Sequence, residues 1–355
     1  MSPFSCLSCY NGPLVRHICI LFGWAGLCLG TLACGGSTPR PAPTAPTTPA
    51  APTAPSNTWT LAGTTVDTVT RGAIGGAQVA PSWSLPAVTS GADGAFSLGA
   101  VANPPTTPYK LAVTADGFIT REQWVNWQSG ARTGVMLDLI RNAAPFSQGF
   151  YNELVRGTFG EYGSPAPFPV LRLTEAPRIY LKTVDQNGRA VEPEVLTVVL
   201  DALRRGVDGY SAGKFSAAIE TGTDVRPETT GWINVNILRD PGQRTVCGRA
   251  FVGSNPGTIT LYNDVCSCGS NKIPGAVVMH EVGHALGFFH VSDRSSVMYP
   301  TIPGNCPAGE LSAAERYHAA IAYARPRGNR DPDNDPSDAF QVSAGDAIRR
   351  ILVNN

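Results

Sequence analysis

From Trp59 onward, short apolar–polar alternations are broken by Gly and Pro. Residues 61–66, 76–79, 95–98 and 109–114 carry the period-two pattern of half-buried strands, and Ser90-Gly91-Ala92-Asp93-Gly94 has the residues of a tight turn between two of them. The spacing predicts a small all-β sandwich over 58–142. Further along, the period changes. Val195, Leu196, Val199, Leu200 and Leu203 recur at helical spacing within 194–205, with Gly206 as the expected stop. Residues 178–184, 232–237, 246–252 and 257–261 read as strands. Pro274 sits where a helix starts, ahead of an apolar stripe of Val278, Val282 and Ala285. Another helix opens at Ser312, with Glu315 placed for a capping box. The order predicts an α+β domain over 143–325, a twisted mixed sheet plus a helix that carries the chemistry.

The first residues follow a different pattern. Arg16 is the only formal charge before an uncharged, mostly apolar run over 18–33. The run is short for a membrane span, which needs about 20 residues, and suits an export signal. It ends Thr31-Leu32-Ala33-Cys34-Gly35, which resembles the lipobox of bacterial lipoproteins. That resemblance implies cleavage after residue 33 (signal 1–33) and lipidation of Cys34; plain cleavage near Ala33 and an uncleaved anchor are the alternatives. Residues 34–57 are Pro, Thr and Ala with almost no apolar bulk, a tether that cannot bury enough surface to fold. The expected location is an outer-membrane or cell-surface lipoprotein, otherwise periplasmic or secreted, with membrane contact only through the N-terminus. Lys+Arg and Asp+Glu are both 27, so no net basic charge recommends a nucleic-acid partner.

Three of the five His lie in Val278-Met279-His280-Glu281-Val282-Gly283-His284-Ala285-Leu286-Gly287-Phe288-Phe289-His290. A helix puts His280 and His284 on one face, within reach of one Zn²⁺. Gly287 permits a sharp turn that returns His290 to the same ion. Three neutral imidazoles leave the metal its full charge and an open coordination position, beside which Glu281 serves as general base. Ser296-Val297-Met298-Tyr299-Pro300 follows.

This combination of HExxHxxGxxH and a following Met turn resembles the metzincin zinc endopeptidases, the matrixin branch most closely. The resemblance implies His280, His284 and His290 as zinc ligands, Glu281 as catalytic base and Met298 as the floor beneath the ligands. It implies a protein or peptide substrate paired along an edge strand at 258–262, with Ile259 and Leu261 as substrate-binding positions, and a pocket walled by Pro300 and Ile302. Pro300 stands two residues after Met298, so the tyrosine ligand of astacin-type relatives is missing there. The sandwich region, through Gly63, Val66, Asp67, Asp93-Gly94-Ala95-Phe96 and 109–118, is similar to the carboxypeptidase regulatory-like domain, which implies an accessory module. Its Trp83, Trp124 and Trp127 are expected to cap a core rather than bind carbohydrate or protein.

Four of the nine Cys lie in the last third, an even number that suits disulfides in an oxidising compartment. Cys266 and Cys268 are too close to pair comfortably with each other. Three connectivities are open, and Cys247–Cys266 with Cys268–Cys306 is the expected one. Residues 326–355 contain Asp331, Asp333, Asp335 and Asp338. These offer oxygen ligands for Ca²⁺, but the Gly of calcium loops is missing, so a disordered acidic tail is expected. His318 is expected to be a structural helix residue. The rival to a peptidase is a surface-anchored binding protein with a degenerate or structural zinc domain; retention of Glu281 favours the enzyme.

Overall fold

The computed structural model describes residues 58–82, 85–102, 109–125, 131–160, 167–239, 246–263, 265–266, 272–301, 309–337 and 352–354. The chain divides into two compact units, 1–54 and 55–355. The first, with the expected export signal and Cys34, lies outside the described residues.

The second unit is a mixed α+β structure that begins with seven strands: β1 (Thr58–Asp67), β2 (Gln78–Pro81), β3 (Val88–Thr89), β4 (Ala95–Ala102), β5 (Tyr109–Thr114), β6 (Arg121–Val125) and β7 (Ala131–Leu139). They form a three-stranded sheet, β4-β1-β7, and a four-stranded one, β3-β2-β5-β6. Alternation decides what each strand buries. On β5, Leu111 and Val113 are inside and Thr114 is exposed. They meet Val79 of β2 and Leu61, Phe96, Leu98, Leu137 and Leu139 of the other sheet in one apolar core. Trp124 is half-buried, with the Lys110 ammonium 5.6 Å from its ring centre; Trp83 and Trp127 lie outside the described residues.

A second set of elements follows: α1 (Gln148–Arg156), β8 (Arg178–Lys182), α2 (Pro193–Tyr210), β9 (Ala218–Gly222), β10 (Trp232–Leu238), β11 (Gly248–Phe251), β12 (Gly257–Tyr262), α3 (Gly275–Ala285), α4 (Ala313–Ala324) and β13 (Leu352–Asn354); the four helices and β8, β10, β11 and β12 share one larger core. The sheet order is β13-β11-β12-β10-β8-β9. Strands β9, β8, β10 and β12 run parallel, and β11 is antiparallel to both β12 and β13.

Helix α2 does not stop at Gly206 but continues to Tyr210. The bare Cα is there for packing: a Cβ would come within 2.8 Å of Val282 Cγ1 and 3.3 Å of Met279 Sδ on α3. Helix α1 was not anticipated. Ser147 caps it, accepting from the Phe150 N–H at 3.3 Å, and Gly157 ends it in the left-handed region. Its start is pinned by buried His318 of α4, whose Nε2 accepts from the Ser147 N–H at 3.0 Å while Nδ1–H donates to the Ala314 carbonyl. Burial lowers the pKa of His318 below the usual imidazole value, in keeping with that neutral, structural role.

Residues 326–337 are not the solvated acidic tail that composition suggested. Arg325, fully buried, donates to Asp333 Oδ1 at 2.6 Å and Oδ2 at 2.7 Å, and to Asp138 Oδ2 of β7 at 2.7 Å. Arg121 of β6 pairs with Asp138 and, at 3.0 Å, with Asp335. The Glu122 N–H donates to the Asp333 carbonyl at 3.0 Å, and the Asp335 N–H donates to the Glu122 carbonyl at 2.9 Å. This clasp joins β6 and β7 to α4. Asp333 and Asp335 thus face guanidinium groups, which gives the calcium reading no support; Asp338 lies outside the described residues.

Candidate metal centre

Helix α3 starts on the Pro274 carbonyl, which accepts from the Val277 N–H at 3.0 Å, and every residue over 276–285 is buried. His280 and His284 therefore sit one turn apart on the same side of a buried helix. Gly287 turns the chain at φ 106°; a Cβ there would lie 2.7–2.8 Å from the backbone of Leu171 and Arg172, so only Gly fits. The Phe289 N–H then donates to the Leu154 carbonyl at 2.8 Å, and its ring stacks on Phe168 at 5.2 Å between centres. That anchor delivers His290 to the other two imidazoles.

The three Nε2 atoms lie 2.8, 3.1 and 3.2 Å apart. His280 Nδ1 is 2.6 Å from the Val297 carbonyl and His284 Nδ1 2.8 Å from the Phe288 carbonyl. A carbonyl only accepts, so each of these Nδ1 atoms carries the proton and each Nε2 presents a lone pair. Two lone pairs facing at 2.8 Å repel unless a cation lies between them. Burial, and then the neighbouring His280 and His290 rings, hold His284 well below the ordinary imidazole range, which keeps it neutral. A zinc ion about 2.0–2.1 Å from each nitrogen fits over a triangle of this size. Three imidazole nitrogens, two of them oriented through Nδ1 by backbone carbonyls, are the donor chemistry that zinc takes. No other three His, Cys, Asp or Glu side chains converge this way among the described residues.

Glu281 is fully buried, and its carboxylate packs against Gly248 of β11: a Cβ on Gly248 would come within 2.8 Å of both its Cδ and Cγ. Met298 is fully buried and abuts Gly283, where any side chain would strike its sulfur. The Met298 carbonyl accepts from the Val291 N–H at 3.0 Å, closing the loop that carries His290.

The other anticipated residues fare differently. Ile259 and Leu261 are not in a cleft. Both are fully buried core residues, and β12 is an interior strand between β10 and β11. β11 and, beyond it, β13 separate β12 from that side of the sheet. Pro300 is half-buried beside Tyr299; Ile302 lies outside the described residues. Cys247 and Cys266 form a disulfide with Cα atoms 5.4 Å apart. Cys268 and Cys306 lie outside the described residues.

Residues 270–320 match the Matrixin family model (peptidase family M10), which supports a metallopeptidase in general. No curated protein matches the chain. Among solved structures, the chain is similar to a type II cohesin–X-dockerin complex from Acetivibrio cellulolyticus, at 18% identity and TM-score 0.18 over 23% of this chain and 55% of that one. It is also similar to a protein of unknown function from Bacteroides fragilis NCTC 9343, at 19% identity and TM-score 0.20 over 44% of this chain and 45% of that one. The chain thus spans about half the length of either, and likenesses at these scores carry no argument about fold or function.

Proposed function

We propose that the protein is an exported zinc metalloendopeptidase that hydrolyses peptide bonds of protein substrates. The observation that carries this is the convergence of the His280, His284 and His290 Nε2 atoms next to a buried Glu281, within the stretch that is similar to the Matrixin family. Zinc, when bound, supplies the Lewis acid that polarises a scissile carbonyl and lowers the pKa of an attacking water. Glu281 takes the proton from that water and returns it to the leaving amine. The helix and the Met turn fix the imidazoles, so little rearrangement is needed during reaction. In this reading residues 58–142 are an accessory module of the carboxypeptidase regulatory-like kind and Cys34 is the lipid anchor. Glu281→Gln tests the chemistry. It should retain one zinc per chain and lose peptide hydrolysis by at least about 100-fold. Undiminished hydrolysis would overturn the mechanism.

A further inference from the structure

The last turn of α1 makes three contacts with the stretch that bears His290. Glu153 Oε2 accepts from the Ser292 N–H at 2.8 Å, and Ser292 Oγ–H donates to the same carboxylate at 2.9 Å. The Leu154 carbonyl accepts from the Phe289 N–H at 2.8 Å. At Gly157 the bare Cα leaves room for the Phe289 ring, since a Cβ would come within 2.9 Å of it. Residues on both sides of His290 are thus fixed to one helical turn. His280 and His284 share α3, which sets their spacing. His290 stands beyond the Gly287 bend, so its place at the metal centre depends on what holds its loop.

α1 is itself fixed at both ends. His318 holds the Ser147 N–H at its start. At its end Arg156, fully buried, donates through Nη2 to Asn329 Oδ1 at 2.8 Å. Asn329 Nδ2 donates in turn to Asp333 Oδ1 at 3.0 Å and to Asp335 Oδ1 at 2.9 Å. The loop of the third imidazole is therefore tied, through α1, to the clasp that reaches β6 and β7.

We propose that Glu153 is a positioning residue of the metal centre: through Ser292 it holds the loop that presents His290, and α1 passes the rigidity of the clasp to that loop. A carboxylate that accepts from a backbone N–H makes a charge-assisted bond, stronger than a neutral one. Glu153 is not one of the converging donors, and α1 precedes the stretch that matches the Matrixin model. The role deepens the reading above and rests on its zinc site, not on hydrolysis.

The test measures zinc affinity by competitive chelation, cobalt(II) absorption and the urea midpoint, on the full-length chain and on Glu153→Ala, Glu153→Gln and Ser292→Ala. Glu153→Ala should bind zinc about 10-fold more weakly, the lower end of what groups behind a ligand supply. Its cobalt(II) d–d bands should shift from those of wild type. Glu153→Gln keeps an oxygen for the Ser292 N–H and an amide N–H for Oγ, so it should restore most of the affinity and the wild-type bands. Ser292→Ala keeps the backbone N–H and should lose less than Glu153→Ala; added to Glu153→Ala it should weaken zinc binding no further. A lower urea midpoint in Glu153→Ala with zinc affinity and cobalt(II) bands unchanged would make Glu153 merely structural and overturn the proposal. Hydrolysis by wild type and Glu153→Ala alike, at equal zinc affinity, would also overturn it and leave the peptidase reading intact. The expected order of zinc affinities with no hydrolysis by any form would instead remove the peptidase reading and uphold the positioning role.

Discussion

Glu315 holds Met298 in place: its Oε1 accepts from the Met298 N–H at 3.2 Å and from Ser296 Oγ at 2.6 Å. The other oxygen accepts from the Ser312 N–H at 2.7 Å, completing the capping box of α4. One buried carboxylate thus ties a helix start to the turn whose Val297 carbonyl orients His280. Glu315→Ala should cost about 1–3 kcal/mol of stability, since buried donors lose their acceptor. It should also weaken zinc binding about 10- to 100-fold through the loosened orientation of His280. Urea denaturation and competitive zinc chelation measure the two effects. Glu315→Gln, which keeps one carbonyl oxygen, should fall between. Wild-type zinc affinity in the Ala variant would show that the Met turn stands without Glu315.

Gly248 makes room for the base. Gly248→Ala puts a methyl group where the Glu281 carboxylate lies. Since β11 is held by its neighbours on the sheet, the side chain of Glu281 must move. A displacement of about 1 Å at a reacting group costs on the order of 100-fold in rate. kcat should fall by about that factor while zinc content and KM change little, because neither the imidazoles nor the strand edge is touched. A fall confined to KM would place the effect on peptide seating instead.

The metal centre was legible because its determinants are local. His280 and His284 on one helical turn, Gly287 at the bend and Met298 downstream need no knowledge of partners far along the chain. What was missed is non-local. Strand order decides that β12 is interior, with β11 and β13 beyond it, and the alternation within 257–261 is the same in either case. Gly206 reads as a helix stop until α3 is packed against it. Asp333 and Asp335 read as solvated charge because Arg121, Arg325 and Asp138 are brought to them only by the fold. Helix α1 did carry a signal, Ser147 and Gly157 bracketing an amphipathic stretch, but it is short and its apolar face is small.

The clasp makes stability depend on acid pH. Burial by itself would raise the pKa of Asp138, but Arg325 and Arg121 outweigh it and hold the carboxyl far below the usual range. A carboxyl depressed in the folded state stabilises it above its unfolded pKa of about 3.9, and that stability is lost as pH falls towards the folded value. Asp335 acts in the opposite sense: burial raises its pKa, with Arg121 and Asn329 only partly offsetting it. Asp138→Asn should therefore lower the urea midpoint at pH 7, by about 3–5 kcal/mol in stability because two buried guanidinium groups lose a counter-ion. The gap between wild type and variant should narrow from pH 4 to pH 2. A gap that stays constant over that range would show that Asp138 does not titrate with folding.

Cleavage specificity should be set after the scissile bond, because pairing along a strand edge selects backbone rather than side chains. Ile259 and Leu261 are excluded from this choice by their burial, which leaves the stretch after Met298. Tyr299 and Pro300 are uncharged and half-buried there. The nearest ionised groups in sequence, Asp293 and Arg294, are exposed, and the Arg294 guanidinium stands 5.8 Å from the Tyr299 ring centre. A charged substrate residue entering an uncharged wall would lose hydration without compensation. Medium or large apolar residues just after the cut should therefore dominate, and Arg294→Ala should leave that preference unchanged. Sequencing the products from a denatured protein digest measures it. A preference for Asp or Glu that disappears in Arg294→Ala would show that this guanidinium turns from the Tyr299 ring into the pocket, and that the wall is charged after all.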